Sequence, residues 1–356
     1  VFEAIGSETH EEVLYGVDRE SGLRAIIAIH NTSLGPALGG TRFYPYPDED
    51  AALRDVLRLS KGMTLKSAAA GLDFGGGKAV IIGDPATLRS ERLIRSYGRL
   101  IDSLGGRYVT AEDVGTTVDD MVLISRETPW VSGLPWALGG SGDPSPATAR
   151  GVMAALGAVG ERIWGSRDVA GRRIAVQGIG KVGMDVVRRL TEAGAETVVT
   201  DVDDRALAFA AETYGSTVVG TDEIYDVECD VFSPCALGAT LNEDTISRLR
   251  CSAIAGSANN QLATDADIER IVARGILYAP DFVVNAGGVI NIAVEAGGYS
   301  VERADAMVDR IYGNLSAVFD TADRDGVNTD VAATRFAMRR IDEIGRLRIK
   351  RRPGEH

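Results

Sequence analysis

Apolar and polar positions alternate in two different rhythms along the chain. In the first part, short β-branched runs at residues 24–30 and 78–83 predict buried strands. Between them, residues 48–61 bring Leu53, Val56, Leu57 and Leu59 to one side of a helix with an acidic start, which Asp48 can cap. Residues 89–104 predict another helix, and 107–110 a strand ending at Ala111, Glu112 and Asp113. From residue 171 the rhythm becomes regular, with apolar runs at 173–177, 197–200, 217–219, 230–232, 253–255 and 276–278 and helical stretches between most of them. Such alternation predicts a parallel, doubly wound α/β sheet. Amphipathic helices are expected over about 301–322 and 329–349.

Residues 135–147 hold three prolines and three glycines between the two rhythms, the composition of a loop and a domain boundary. The expected organisation is therefore an α/β domain over 1–135 and a dinucleotide-type domain over 136–328. The last helix, about 329–356, is expected to pack back on the first domain. A small-residue helix should open at Thr148 and run to about Gly160.

A chain of 356 residues is long enough for two domains, and 45% hydrophobic with 25% charged residues is the composition of a soluble globular protein. No stretch approaches the roughly 18 apolar residues that span a bilayer. The N-terminal Val-Phe-Glu-Ala-Ile-Gly lacks the basic and apolar regions of a signal peptide, and three cysteines suit a reducing compartment, so the cytoplasm is the expected default. A net charge of −13 repels phosphate backbones and argues against nucleic acid as a partner. The basic tail Arg339, Arg340, Arg346, Arg348, Lys350, Arg351 and Arg352 is interrupted by acids and reads as a solvated helical face. Cys229, Cys235 and Cys251 do not form a C-x-x-C pair, and with three histidines in the chain no metal site is expected.

Two features carry chemistry. The first is the pair Lys66 and Lys78, set in a small, apolar stretch with Gly75, Gly76 and Gly77 before the second lysine. A glycine run costs backbone entropy, and lysine prefers water, so the pairing suggests an ammonium held close to a ligand by bare backbone. It is not a phosphate loop, because Leu72 and Ala79 stand where that motif needs glycine and a hydroxyl.

The second is the run Gly178-Ile179-Gly180-Lys181-Val182-Gly183 between a strand at 173–177 and a helix at 184–193, with Asp201 at the end of the next strand. Gly178 makes the turn, Gly180 admits a pyrophosphate, and Gly183 lets helix and sheet approach. The helix N-terminus offers N–H groups and a positive dipole end, and Asp201 can accept from ribose hydroxyls. Asp201, Asp203 and Asp204 would repel a 2′-phosphate, which favours NAD over NADP even with Arg205 nearby.

The series Leu38-Gly39-Gly40-Thr-Arg42, Met63-Thr-Leu-Lys66, Gly75–Lys78, Ala111-Glu-Asp113, Gly178–Gly183, Ala258-Asn259-Asn260 and Asn285-Ala-Gly-Gly288 resembles the glutamate/leucine/phenylalanine/valine dehydrogenases, most closely their leucine and valine branches. The resemblance runs from about residue 30 to 320. It implies oxidative deamination of an L-amino acid to a 2-oxo acid and ammonia, in a cleft between the two domains of a homo-oligomer. By position it implies Lys78 as general base, Asp113 as second catalytic group and Lys66 as the holder of the substrate carboxylate. Gly39 and Gly40 would line the substrate site. Thr148, Lys181, Val182, Cys235, Ala236, Ala258, Asn259 and Asn285 would surround the dinucleotide.

Free lysine titrates near 10.4, and a base working near pH 8 needs a drop of about 3 units, or ~4 kcal/mol. Burial and repulsion from Lys66 are the expected causes. Leu38 and Ile292 stand where the glutamate branch has a lysine and a serine, so a buried side-chain carboxylate would lack partners. With Met63 and Val289 they imply an apolar pocket suited to leucine, valine or isoleucine. The alternatives are an aromatic amino acid as substrate, or a dinucleotide-sensing module without turnover.

Overall fold

A computed structural model describes residues 9–345 and Leu347. Val1–Gly6 and, in the basic tail, Arg346, Arg348, Lys350, Arg351 and Arg352 lie outside the described residues. Two compact units are present. One holds the chain through Asp143, Val289–Arg303 and the chain from Ala337; the other holds Pro144–Gly288 and Ala304–Phe336.

This division differs from the expected break after 135 and from a continuous second domain to 328. The reason lies in Glu295, whose carboxylate accepts from the backbone N–H of Gly133 at 3.0 Å and of Ser141 at 2.8 Å. Tyr299 adds an edge-on contact to Trp136, with ring centroids 5.3 Å apart. The loop 136–143 and the segment 289–303 are thus fastened to each other in the first unit. The helix Thr329–Gly345 begins in the second unit and ends in the first. There Arg340 donates to Gly71 O at 3.2 Å and pairs with Asp73 Oδ1 at 2.8 Å.

The first unit is built on a five-stranded sheet in the order β1-β2-β4-β3-β5. Its strands are β1 (Glu12–Asp18), β2 (Leu23–Asn31), β3 (Ala37–Tyr44), β4 (Gly75–Ile82) and β5 (Tyr108–Glu112). β1 and β2 are antiparallel, as are β2 and β4, while β3 runs parallel to both β4 and β5. Alternation along the strands sorts their side chains between two helical layers. Ile26, Ala28 and Val80 pack on Ala52, Leu53, Val56 and Leu57 of α1 (Glu49–Ala69). Ile27, Phe43, Ala79 and Ile81 pack on Leu93, Ile94, Tyr97 and Ile101 of α2 (Glu91–Asp102) and on Met121 and Ile124 of α3 (Val118–Ser125). Asp48 caps α1 by accepting from Ala51 N, as expected. The helix nevertheless continues beyond Lys61 and carries Met63 and Lys66 in its last turns.

The glycines Gly75, Gly76 and Gly77 are part of strand β4 rather than a loop before it. Each is required by what passes close by. A β-carbon at Gly76 would overlap the backbone nitrogen of Thr64 on α1, and one at Gly75 would overlap Asn31 O. Gly39 faces Gly77 O in the same manner. The glycines therefore let the sheet and α1 approach each other, which brings the residues of both into one layer. The outer edge of β5 is covered by Val131, bridged in parallel to Thr110. β1 is the opposite edge.

The second unit has six parallel strands in the order β11-β10-β9-β6-β7-β8. They are β6 (Arg173–Gln177), β7 (Glu196–Thr200), β8 (Thr217–Val218), β9 (Val231–Pro234), β10 (Ala253–Ile254) and β11 (Leu277–Tyr278). The chain starts at the centre with β6, moves outward to β8, then crosses back to β9. That reversal is the topological switch of a doubly wound nucleotide-binding sheet, and ligands bind there beyond the carboxyl ends of the strands. α4 (Ser145–Trp164) starts three residues before the expected Thr148, and α5 (Lys181–Glu192) follows β6.

Among the described residues no helix is long and apolar enough to cross a membrane.

Candidate active site

On the first sheet, the layer facing α1 holds the ionisable cluster. Lys78, on β4, is 7% exposed and its Nζ lies 2.6 Å from Asp113 Oδ2. Asp113 directly follows β5, and Thr116 fixes its backbone by hydrogen bonds at both the N–H and the carbonyl, each 2.9 Å. Arg42, on β3, donates from Nε to the same Asp113 Oδ2 at 2.8 Å and from Nη1 to Asp55 Oδ2 at 2.9 Å. Tyr46 donates to Asp55 Oδ2 at 2.7 Å, and Arg58 reaches Asp55 Oδ1 at 3.1 Å.

Burial pushes the Lys78 ammonium below its ordinary value, and Arg42 adds repulsion; Asp113 pulls the other way without cancelling the fall. Burial is thus the leading cause, as expected, and Arg42 is a depressing cation that the sequence did not single out. For Asp113, burial pushes the carboxyl up, but Lys78 and Arg42 outweigh it and hold it at about 2. A buried amine poised to lose its proton beside a fixed carboxylate is equipped for general acid–base work.

The other residues expected at a substrate site lie in the same unit. Leu38 is fully buried on β3, paired in register with Gly76. Gly39 and Gly40 follow it, and a β-carbon at Gly40 would press on Glu112 O and the Asp113 side chain. Met63 and Lys66 are half-buried on α1. Val289 is buried and Ile292 half-buried on the helix Gly287–Ala293. Arg42 and Asp55 had no assigned role in the sequence. Their signal was slight: an arginine two residues after the glycine pair, and an acid on the polar side of α1.

In the second unit the glycine fingerprint occupies the switch point. Gly178 directly follows β6 with φ +89°, and a β-carbon there would strike Ala236. At Gly183 it would overlap Gly178 O. At Gly180 it would meet no protein atom within 4 Å, so nothing in the chain itself demands glycine there. Gly180 instead leaves bare backbone at the N-terminus of α5, beside Lys181 and Val182, where a pyrophosphate would be received. Cys235 N donates to Gln177 O at 2.7 Å, which sets the end of β9 beside this turn. Asp201 closes β7; its Oδ2 accepts from Ile179 N at 2.6 Å and its Oδ1 from Asp203 N at 3.0 Å. Each oxygen keeps one lone pair for a ribose hydroxyl.

Asn285 donates to Asn259 Oδ1 at 2.9 Å and to Ala258 O at 3.3 Å, while its own Oδ1 is buried and has no hydrogen-bond partner among the described residues. Thr148, in the first turn of α4, sits where Gly288 leaves room for it. A bare Gly180 and an orphaned amide oxygen at Asn285 fit a bound dinucleotide carrying a carboxamide.

The model of the Glu/Leu/Phe/Val dehydrogenase dimerisation domain matches residues 9–130, and that of the Glutamate/Leucine/Phenylalanine/Valine dehydrogenase domain matches 139–208 and 201–348. The chain is 49% identical to leucine dehydrogenase of Bacillus subtilis, over 98% of this chain and 96% of that protein. It is 49% identical to phenylalanine dehydrogenase of Bacillus thermotolerans, over 95% of this chain and 90% of the relative. Among solved structures, L-tryptophan dehydrogenase from Nostoc punctiforme superposes with a TM-score of 0.87 at 44% identity, covering 97% of this chain and 99% of the other. With both parts matched by its models and half-identical relatives along nearly its whole length, the chain belongs to the glutamate/leucine/phenylalanine/valine dehydrogenase family.

Proposed function

We propose that the protein catalyses the reversible, NAD-dependent oxidative deamination of L-leucine, L-valine and L-isoleucine to the 2-oxo acid and ammonia. The Lys78–Asp113 contact carries this reading, because it joins a buried lysine of depressed basicity to a carboxylate at 2.6 Å. The dinucleotide, when bound, supplies the hydride acceptor. In this reading Gly178, Gly180, Lys181, Val182 and Gly183 receive its pyrophosphate. Asp201 takes the ribose hydroxyls and, with Asp203 and Asp204, disfavours NADP. Thr148, Cys235, Ala236, Ala258, Asn259 and Asn285 complete the site, with Asn285 Oδ1 free to accept from the carboxamide.

Lys66 holds the substrate α-carboxylate. Neutral Lys78 takes a proton from the water that attacks the imino carbon, and Asp113 exchanges protons with the resulting carbinolamine as ammonia departs. Leu38, Met63, Val289 and Ile292, with Gly39 and Gly40, form an apolar place for the side chain. A glutamate side chain would bring a carboxylate among them without a cation to pair with, at a cost of several kcal/mol. The dimerisation-domain match supports a homo-oligomer.

The test is NADH formation with a panel of L-amino acids, with NADP in parallel. Turnover of leucine, valine and isoleucine above phenylalanine, tryptophan and glutamate is expected. Preference for an aromatic amino acid would overturn the substrate assignment, and no turnover at all would overturn the activity.

A further inference from the structure

Asp113 has two oxygens, and they are used unequally. Oδ2 receives both Lys78 Nζ and Arg42 Nε, at 2.6 and 2.8 Å. Among the described residues no hydrogen bond reaches Oδ1. Arg42 is in turn fixed by Asp55, which Tyr46 and Arg58 hold from the other side. The chain of contacts runs from α1 to the Lys78–Asp113 pair.

We propose that Arg42, clamped by Asp55, is a positioning residue that pins Oδ2 of Asp113 against Lys78 and leaves Oδ1 as the atom that exchanges protons with the substrate. A carboxylate that Lys78 alone held could rotate and offer either oxygen to the ammonium. The second donor on Oδ2 removes that freedom, and the planar guanidinium fixes the plane of approach. The permanent charge of Arg42 also favours the state the reaction needs, with Lys78 neutral and Asp113 ionised, over a proton shared between them.

The charged groups on this face are Asp113 after β5, Arg42 on β3, and Asp55, Arg58 and Lys66 on α1. β2 contributes His30, which is bonded to Thr64 Oγ1 at 2.8 Å. Of these, Arg42 donates to the same Asp113 oxygen that Lys78 contacts.

This inference rests on the proposed deamination for its kinetic test, and one arm is independent of turnover. Arg42→Gln removes the charge and keeps most of the volume. The ascending limb of kcat against pH is expected to move up by about one unit, and kcat at pH 8 to fall about tenfold, with KM for the amino acid little changed. Arg42→Lys should restore the limb but only part of kcat, because a lysine brings charge without the fork. Tyr46→Phe, a mild change at the far end of the clamp, should lower kcat severalfold with the fold intact. In the second arm, carbamylation of Lys78 by cyanate is followed by peptide mass spectrometry across pH, and in Arg42→Gln it should set in about one unit higher. An unshifted limb, or a loss confined to KM, overturns the inference. Should the unmodified protein turn over no amino acid, the deamination reading fails, and the cyanate arm alone decides whether Arg42 governs Lys78.

Discussion

Replacing Asp113 with Asn removes the anion that pairs with Lys78 and raises its basicity, so Lys78 should lose its proton at lower pH than before. A lysine base works when neutral, and the ascending limb of kcat should therefore move down in Asp113→Asn. Its height should drop by about 10²–10⁴, the usual worth of an acid–base group. This shift is opposite in sign to that of Arg42→Gln. A steady-state pH profile of the two variants side by side checks it, and a common direction would contradict the electrostatic account. The difference between them also shows what a sequence conceals. Lys78 and Asp113 stand out because each belongs to a dense local motif. Arg42 also closes a local motif, but it acts on partners 13 and 71 positions away, Asp55 and Asp113, and the motif does not announce those contacts.

Strands with a plain apolar run were legible as elements. Residues 173–177 and 197–200 became β6 and β7 as expected, because parallel strands buried on both faces need little but β-branched residues. β3 gave no such signal. Its Ala-Leu-Gly-Gly-Thr-Arg-Phe-Tyr carries glycines that the neighbouring backbone demands and an arginine that the site demands, and both dilute the strand pattern. The apolar pattern predicts α1 only to about Lys61; the helix runs on through Gly62, which costs helix propensity but faces open space, to Ala69.

The glycines themselves divide by purpose, and this can be measured. Gly76→Ala should destabilise the protein by about 2–4 kcal/mol, since its β-carbon overlaps backbone rather than a movable side chain. Gly180→Ala meets no protein atom, so its stability in urea should stay within about 0.5 kcal/mol of the parent. Its affinity for NADH, followed by nicotinamide fluorescence, should nevertheless fall more than tenfold. Unchanged NADH binding would remove Gly180 from the dinucleotide site.

For the molecule as a whole, acid–base balance sets a stability optimum on the acid side of neutrality for one region. Burial, with Asp281 and Asp265 nearby, raises the Asp330 carboxyl to about 6. A carboxyl raised on folding contributes stability that is complete below its unfolded value of 3.8 and is lost as pH rises through about 6. At pH 8 the ionised group therefore costs stability, about 1–2 kcal/mol after allowance for its partial exposure. Asp330→Asn should raise the urea midpoint at pH 8 and leave it nearly unchanged at pH 4, and equal gains at both would show another cause.

The first sheet also has unequal margins. Val131 already lies along β5, while among the described residues no strand lies along the outer side of β1. A sheet that is open on one margin can be extended once. If two copies join there about a twofold axis, each uses up the other's free margin and none remains for a third. Growth by this route would then end at a pair, larger assemblies would need other surfaces, and edge-to-edge polymerisation would have no margin left to use.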